Sequence, residues 1–227
     1  RYPGLEGIGF SQHIARPELR DVVRAINLDS RTNLTISPQG ERPEYYPVVF
    51  LEPADRNDRR SIGFDMWTDP VQRAAMERAR DSGEPTLSDK VGATELLELG
   101  MPQGFILYVP IYRTGASTGT IAERRRALVG FVFSPFQPVA LFTNVVEEVM
   151  PPVAFEVYDG AVPRPTALLH RSAGGTDTLQ YQSAQLVHGA GREWLMVVKS
   201  VGEAVGGFPV AAQWTLVAGL LLSLMLF

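Results

Sequence analysis

Residues 63–88 read GFDMWTDPVQRAAMERARDSGEPTLS. The order is that of a strand end, a capped helix and the start of another strand. Thr68 or Asp69 can accept hydrogen bonds from the free N–H groups of a first helical turn. Pro70 then sits where a missing N–H costs nothing and a fixed φ helps. Gly83 supplies the left-handed stop. Between these signals Val71, Ala74, Ala75, Arg78 and Ala79 recur at intervals of three and four, which predicts a helical face of small residues against a sheet. Gln72 and Met76, one turn apart, fall on a neighbouring face. That second face poses the functional question: a lid on a core, or the wall of a binding pocket.

Pro17 to about Ser30 carries Leu19, Val22, Val23 and Ile26 at helical spacing between charges, the pattern of an amphipathic helix. Leu34–Ser37 is a short strand candidate, ended by the turn signal Pro38-Gln39-Gly40. Tyr45–Glu52 is β-rich, and Pro47 inside it points to an edge strand or a strand start. Residues 53–60 form a charged loop, and Ser61–Met66 a third strand. Phe105–Tyr112 and Leu128–Ser134 are strong strands, with Pro110 marking an edge or bulge. Thr114–Ala127 between them reads as a loop in which Thr120 and Glu123 can cap one short turn. The basic run Arg124-Arg125-Arg126 is read as part of that solvated loop. Pro138–Val149 shows helical spacing again, and Met150-Pro151-Pro152 closes the unit.

A smaller unit follows. Phe155–Tyr158, Ala167–His170, Thr178–His188 and Glu193–Ser200 read as strands separated by Gly- and Pro-rich turns, the last of them central. Gly202–Pro209 is a glycine-rich linker. Trp214–Phe227 (WTLVAGLLLSLMLF) carries no charge in 14 residues. That is short of the ~20 that span a bilayer, and it reads as the start of a transmembrane helix with Trp214 at the headgroup level. The opening Arg1-Tyr2-Pro3-Gly4 has neither methionine nor a signal peptide and reads as trimmed. The expected fold is α+β, with residues 1–150 as a distal domain, 151–208 as a membrane-proximal domain and 209–227 as the membrane segment.

Composition narrows the chemistry. The 227 residues contain no cysteine, so disulfides, zinc ribbons and thiol nucleophiles are excluded. A net charge of −4 gives no electrostatic reason to expect nucleic acid. His13, His170 and His188 lack metal-ligand spacing, and no phosphate-cradling glycine motif appears. No metal or cofactor is expected. Gly115-Ala116-Ser117-Thr118-Gly119 fits the G-x-S-x-G pattern of a nucleophile elbow, but it lies in a small-residue loop rather than directly after a strand. The pairs Glu147-Glu148 and Asp55/Asp58 are read as solvated. What remains is a set of residues bordering the central helix: Met66, Gln72, Met76, Ser88, Thr94 and Tyr108. Apolar walls with a few placed polar groups suit a small-molecule pocket.

An ordered series of residues adds a resemblance. Tyr46-Pro47-Val48, Glu52-Pro53, Gly63-Phe64-Asp65, Pro70 with Arg73, Ala79 and Gly83, Gly104-Phe105, Val109-Pro110-Ile111-Tyr112 and Gly130-Phe131-Val132 together resemble the CHASE domain. CHASE domains are extracytoplasmic sensors of membrane receptors, among them bacterial histidine kinases, diguanylate cyclases and the plant cytokinin receptors. The resemblance covers roughly Arg1–Val146. It implies tandem PAS-like antiparallel sheets with flanking helices, a transmembrane helix on each side and a homodimer. It also implies a non-catalytic, periplasmic segment of an inner-membrane protein whose output is a histidine kinase or, as the alternative, a diguanylate cyclase. A further alternative is a ligand-free dimerisation or partner-binding ectodomain. In the cytokinin receptors an aspartate that binds the adenine edge of the ligand aligns with Gln72, a threonine with Tyr108 and another threonine with Ser88. The resemblance therefore implies the place of a pocket and a ligand other than cytokinin. It also makes Asp65 and Arg73 structural anchors of the helix start.

Overall fold

The computed structural model describes residues 7–30, 34–53, 61–91, 104–136, 153–172 and 179–201. The chain divides into two compact units, Arg1–Gln137 and Pro138–Phe227. The expected boundary at Met150, the helix over Pro138–Val149 and the apolar run Trp214–Phe227 lie outside the described residues. No helix among the described residues is long and apolar enough to cross a membrane.

The first unit is built on an antiparallel sheet of β1 (Gly7–Gln12), β4 (Val48–Pro53), β5 (Thr86–Leu87), β6 (Phe105–Tyr112) and β7 (Leu128–Phe136), in the order β4-β1-β7-β6-β5. A two-stranded ribbon, β2 (Ile14–Ala15) with β3 (Glu44–Tyr45), stands beside it. Pro47 does both things expected of it. It splits the β-rich run into β3 and β4, because a residue without N–H cannot continue a ladder, and β4 is a sheet edge. Pro110 lies beyond the reach of β5, which pairs only with Tyr108 and Leu107, and the β6 bulge falls beside it at Ile111/Tyr112. Of Leu34–Ser37 only Ser37 forms a β-bridge, to Phe64.

Helix α1 spans Leu19–Ser30 and α2 spans Pro70–Ser82. The Asp69 carboxylate accepts from the N–H groups of Val71 and Gln72 at 2.8 and 2.9 Å, so Asp69, not Thr68, is the cap. Gly83 takes φ +83° and its N–H bonds the Ala79 carbonyl at 2.9 Å. The buried side chains of α2 are Gln72, Ala75, Met76, Ala79 and Arg80. Of the expected Val71/Ala74/Ala75/Arg78/Ala79 stripe, Ala75 and Ala79 are buried and Val71 packs against the core, but Arg78 is exposed; the buried face is turned so that Gln72 and Met76 lie at its centre.

Two further segments differ from the expectation. Ser61–Met66 is not a ladder strand. Its backbone bonds reach separate segments, Gly63 N–H to Val48 O at 2.8 Å and Asp65 N–H to Ser37 O at 2.7 Å, and Met66–Thr68 closes as one 3-10 turn. The arginine run is not a loop. It occupies a short helix, α3 (Ile121–Ala127), which starts with the capping box expected of Thr120 and Glu123. Arg125 pairs with the Asp81 carboxylate, and Arg124 Nε donates to the Asp81 carbonyl at 2.8 Å. Tyr112 donates to the Arg80 carbonyl at 2.7 Å. Carbonyls left free at the C-terminal end of α2 are thereby satisfied.

The second unit is a four-stranded antiparallel sheet of β8 (Val153–Asp159), β9 (Leu168–Arg171), β10 (Leu179–Gly189) and β11 (Arg192–Val201), ordered β10-β11-β8-β9. The expected central strand, β11, is interior. On β8 the buried Glu156 carboxylate binds Arg171 at 2.8 Å, Lys199 at 2.9 Å and the Tyr158 hydroxyl at 2.7 Å. Burial pushes this carboxyl up. Its bonds to Lys199 and Tyr158 and the charges of Lys199 and Arg171 outweigh that and hold it below the usual range.

Candidate functional site

The core of the first unit lies between α2 and the sheet. Tyr46, Val48, Met66, Trp67, Ala75, Met76, Ala79, Ile106, Tyr108, Phe131 and Phe133 form one buried cluster. Within it Gln72 and Tyr108 have no solvent exposure, and the Tyr108 hydroxyl donates to Gln72 Oε1 at 2.9 Å. The cap at Asp69 sets the phase of α2 that turns Gln72 inward. The register Thr86–Tyr108–Phe133 across β5, β6 and β7 sets the height at which the phenol meets it. The Tyr108 ring stands edge-on to Phe131 at 6.0 Å and tilted to Phe133 at 6.4 Å. Burial pushes the phenol well above its ordinary pKa, and the negative charge of Asp69 adds to the shift. Tyr108 is therefore neutral and a hydrogen-bond donor at any physiological pH.

The other end of the amide is unspent. Among the described residues no acceptor reaches Gln72 Nε2. Turning the amide over would exchange its ends and leave Oε1 unpaired instead, so the imbalance belongs to the site. An amide donor buried without a partner costs about 1–3 kcal/mol, and native cores hold few of them.

Of the residues expected to line a pocket, Met66, Met76, Gln72 and Tyr108 belong to this one buried region. Ser88 is buried as well, but its hydroxyl serves the backbone: it accepts from Ile106 N–H at 2.9 Å and donates to the Asp89 carbonyl at 2.7 Å. Thr94 lies outside the described residues. Phe131, Phe133 and Thr86 were not on the expected list. The alternation in β7, which puts Phe131 and Phe133 on one face, was the signal for two of them.

Asp65 is the anchor it was expected to be. Its buried carboxylate accepts from Tyr46 N–H at 2.9 Å, Trp67 N–H at 3.2 Å and Arg42 Nε at 2.9 Å. Burial raises its pKa, while the N–H groups and Arg42 pull it down. Arg73 is not an anchor: its side chain is exposed, and its N–H makes the ordinary helical bond to the Asp69 carbonyl. Beside Asp65 runs a stack. His13 lies over Tyr46 at 5.0 Å, Tyr46 over Trp67 at 4.3 Å, and the Arg80 guanidinium over Trp67 at 5.6 Å. Glu44 closes its outer end, accepting from the Tyr46 hydroxyl at 3.0 Å and pairing with His13 at 3.2 Å.

The elbow motif lacks elbow geometry. β6 ends at Tyr112 and α3 begins at Ile121, so Ser117 sits in the middle of a connecting loop rather than at a strand-to-helix turn. Among the described residues no group of three His, Asp or Glu is placed to hold a metal. The region around Gln72 is an apolar enclosure with one polar pair.

The family model described as CHASE domain matches residues 1–170. The chain belongs to the CHASE domain family. A curated relative, hybrid signal transduction histidine kinase A of Dictyostelium discoideum, is 24% identical over 148 residues. That match takes in 59% of this chain and 7% of the relative, so the chain corresponds to a small part of that kinase's length. The CHASE domain is a non-catalytic sensory domain found in histidine kinases.

Proposed function

We propose that this CHASE domain is the extracytoplasmic, small-molecule-sensing part of a transmembrane receptor with histidine kinase output. The observation that carries the reading is the Gln72–Tyr108 pair: a polar couple without solvent contact, inside an apolar enclosure, with half of its amide unused. It lies at the α2–β6 wall, where the family resemblance puts the ligand. The antiparallel sheet with α2 against one face supports a PAS-like description of the first unit, and the four-stranded second sheet supports a tandem arrangement. The hybrid histidine kinase among its relatives supports the output. The uncharged run Trp214–Phe227 supports anchorage in the inner membrane, with the described units on the periplasmic side.

Sensing in this reading is a shift between two arrangements of a receptor dimer. A ligand acts only through its difference in affinity for the two, since equal affinity shifts nothing. Residues 151–208 and the glycine-rich linker carry the bias to the membrane segment. Gln72 offers an acceptor and a donor without charge, which favours a neutral ligand with a complementary polar edge.

A second reading, a ligand-free dimerisation module, has one observation in its favour: Met66, Gln72, Met76 and Tyr108 all have zero exposure, as in an ordinary core. A metabolite screen by thermal shift separates the two. Under the sensing reading at least one metabolite raises the unfolding midpoint, by the equivalent of about 2.7 kcal/mol at 100 times its dissociation constant. No shift with any compound, together with tight self-association, would overturn it in favour of the second.

A further inference from the structure

The Gln72 amide and the Tyr108 phenol make a donor–acceptor contact of the kind a bound ring would make, yet both belong to the chain. Methionine, close to glutamine in size, already flanks the position at Met66 and Met76 and would pack there without an orphaned polar atom. Glutamine is costly at this place unless both ends of its amide are used in some state of the protein. The phenol serves Oε1, and among the described residues nothing serves Nε2. The phenol packs against Phe131 and Phe133, their ring centroids 6.0 and 6.4 Å from its own, so the space it fills beside Gln72 is that of one aromatic ring. Among the described residues the charge felt by the phenol is that of Asp69, whose carboxylate is already bound to the Val71 and Gln72 N–H groups. An anion would therefore meet a negative field at a helix start whose donors its own cap has engaged.

We infer that Tyr108 occupies the place of the ligand: the resting sensor is self-filled, and its ligand is an uncharged, ring-sized molecule that displaces the phenol and engages both ends of the Gln72 amide. This rests on the reading of the α2–β6 wall as the sensing site. Displacing a side chain that is already well packed lowers the apparent affinity, because the competent state is populated only in part. The device sets a threshold: a weakly complementary metabolite does not dislodge the phenol, and one that uses Nε2 as well as Oε1 does.

The test uses phenol and toluene as probes on three forms of the chain: wild type, Tyr108→Ala, and Tyr108→Ala with Gln72→Met. Binding is read by titration calorimetry and by the shift in unfolding midpoint. Phenol is expected to bind Tyr108→Ala roughly tenfold more tightly than toluene, the weight of one buried hydrogen bond. It is expected to lose that preference in the double variant and to leave the wild type unshifted. Where Tyr108→Ala does not fold alone, refolding with each probe is followed by circular dichroism, and recovery with phenol beyond that with toluene is the supporting result. Equal response to the two probes, no response to either, or a preference that survives Gln72→Met overturns self-occupancy. A metabolite found by the screen gives an independent arm. Its affinity should rise roughly tenfold in Tyr108→Ala. An unchanged affinity would overturn self-occupancy and leave sensing intact, whereas failure of the screen alone bears on sensing.

Discussion

Replacing Asp65 by alanine should destabilise the first unit by about 3–5 kcal/mol, the range for breaking a buried charge pair from one side. The carboxylate has no solvent exposure and holds three pieces of chain together: Arg42 through its Nε, the start of the Tyr46 segment through its N–H, and the 3-10 turn through Trp67 N–H. Alanine leaves two buried amide donors without acceptors, at about 1–3 kcal/mol for each fully desolvated group, and a largely buried guanidinium without its partner. Asp65→Asn is the control. It keeps one oxygen for the Tyr46 and Trp67 N–H groups but then turns its NH2 toward Arg42, so its loss should fall between wild type and alanine. Urea unfolding of the three forms reads the order. An alanine variant within about 0.5 kcal/mol of wild type, the scatter of ordinary surface changes, would remove Asp65 as the anchor of the α2 start.

The second large effect is expected at Gly63, where a single methyl group should cost about 3 kcal/mol or more. Its φ is +90°, and the left-handed backbone alone costs a non-glycine residue about 1–2 kcal/mol. A Cβ would also lie 2.1 Å from the carbonyl oxygen of Thr35, a backbone atom that no rotamer change can move. Gly63 cannot shift to relieve the clash, because its N–H bonds Val48 O at 2.8 Å and its carbonyl accepts from Ser37 N–H at 2.9 Å. Gly63→Ala therefore has to break one of these links. The measurement is the thermal midpoint of the purified variant. A midpoint equal to that of wild type would show that the 35–37 segment moves aside freely.

Both effects concern the entry to α2, and here local chemistry was legible. Asp69, Pro70 and Gly83 predicted a helix that runs Pro70–Ser82, because caps act on neighbours in sequence. The strands centred on Phe105–Tyr112 and Leu128–Ser134 were equally plain from their β-branched and aromatic runs. The phase of α2 was legible only in part: Ala75 and Ala79 face the core as expected, Arg78 does not. Ala74, Ala75 and Ala79 look alike to a periodicity count, and the burial of Gln72 depends on Tyr108, 36 positions away. Ser61–Met66 has the composition of a strand, but its backbone hydrogen bonds go to two separate segments, at Ser37 and at Tyr46–Val48, and nothing local signals that. The arginine run was misread for the same reason: Arg125 is held by Asp81, 44 positions earlier. Gln72 and Tyr108 entered the candidate set as neighbours of one helix and as positions of the family's ligand wall. That they bond to each other follows from strand register, which a single sequence does not display.

The central claim is that this chain reads a small molecule through Gln72. The direct test is titration calorimetry of the strongest compound from the metabolite screen against wild type, Gln72→Leu and Arg73→Ala. Leucine keeps the bulk and removes both polar ends, so affinity should fall at least roughly tenfold, or about 1.4 kcal/mol. Arg73, one position along but solvent-exposed, should leave affinity unchanged. Binding that is indifferent to Gln72→Leu would contradict the claim and move the sensing site elsewhere in the molecule.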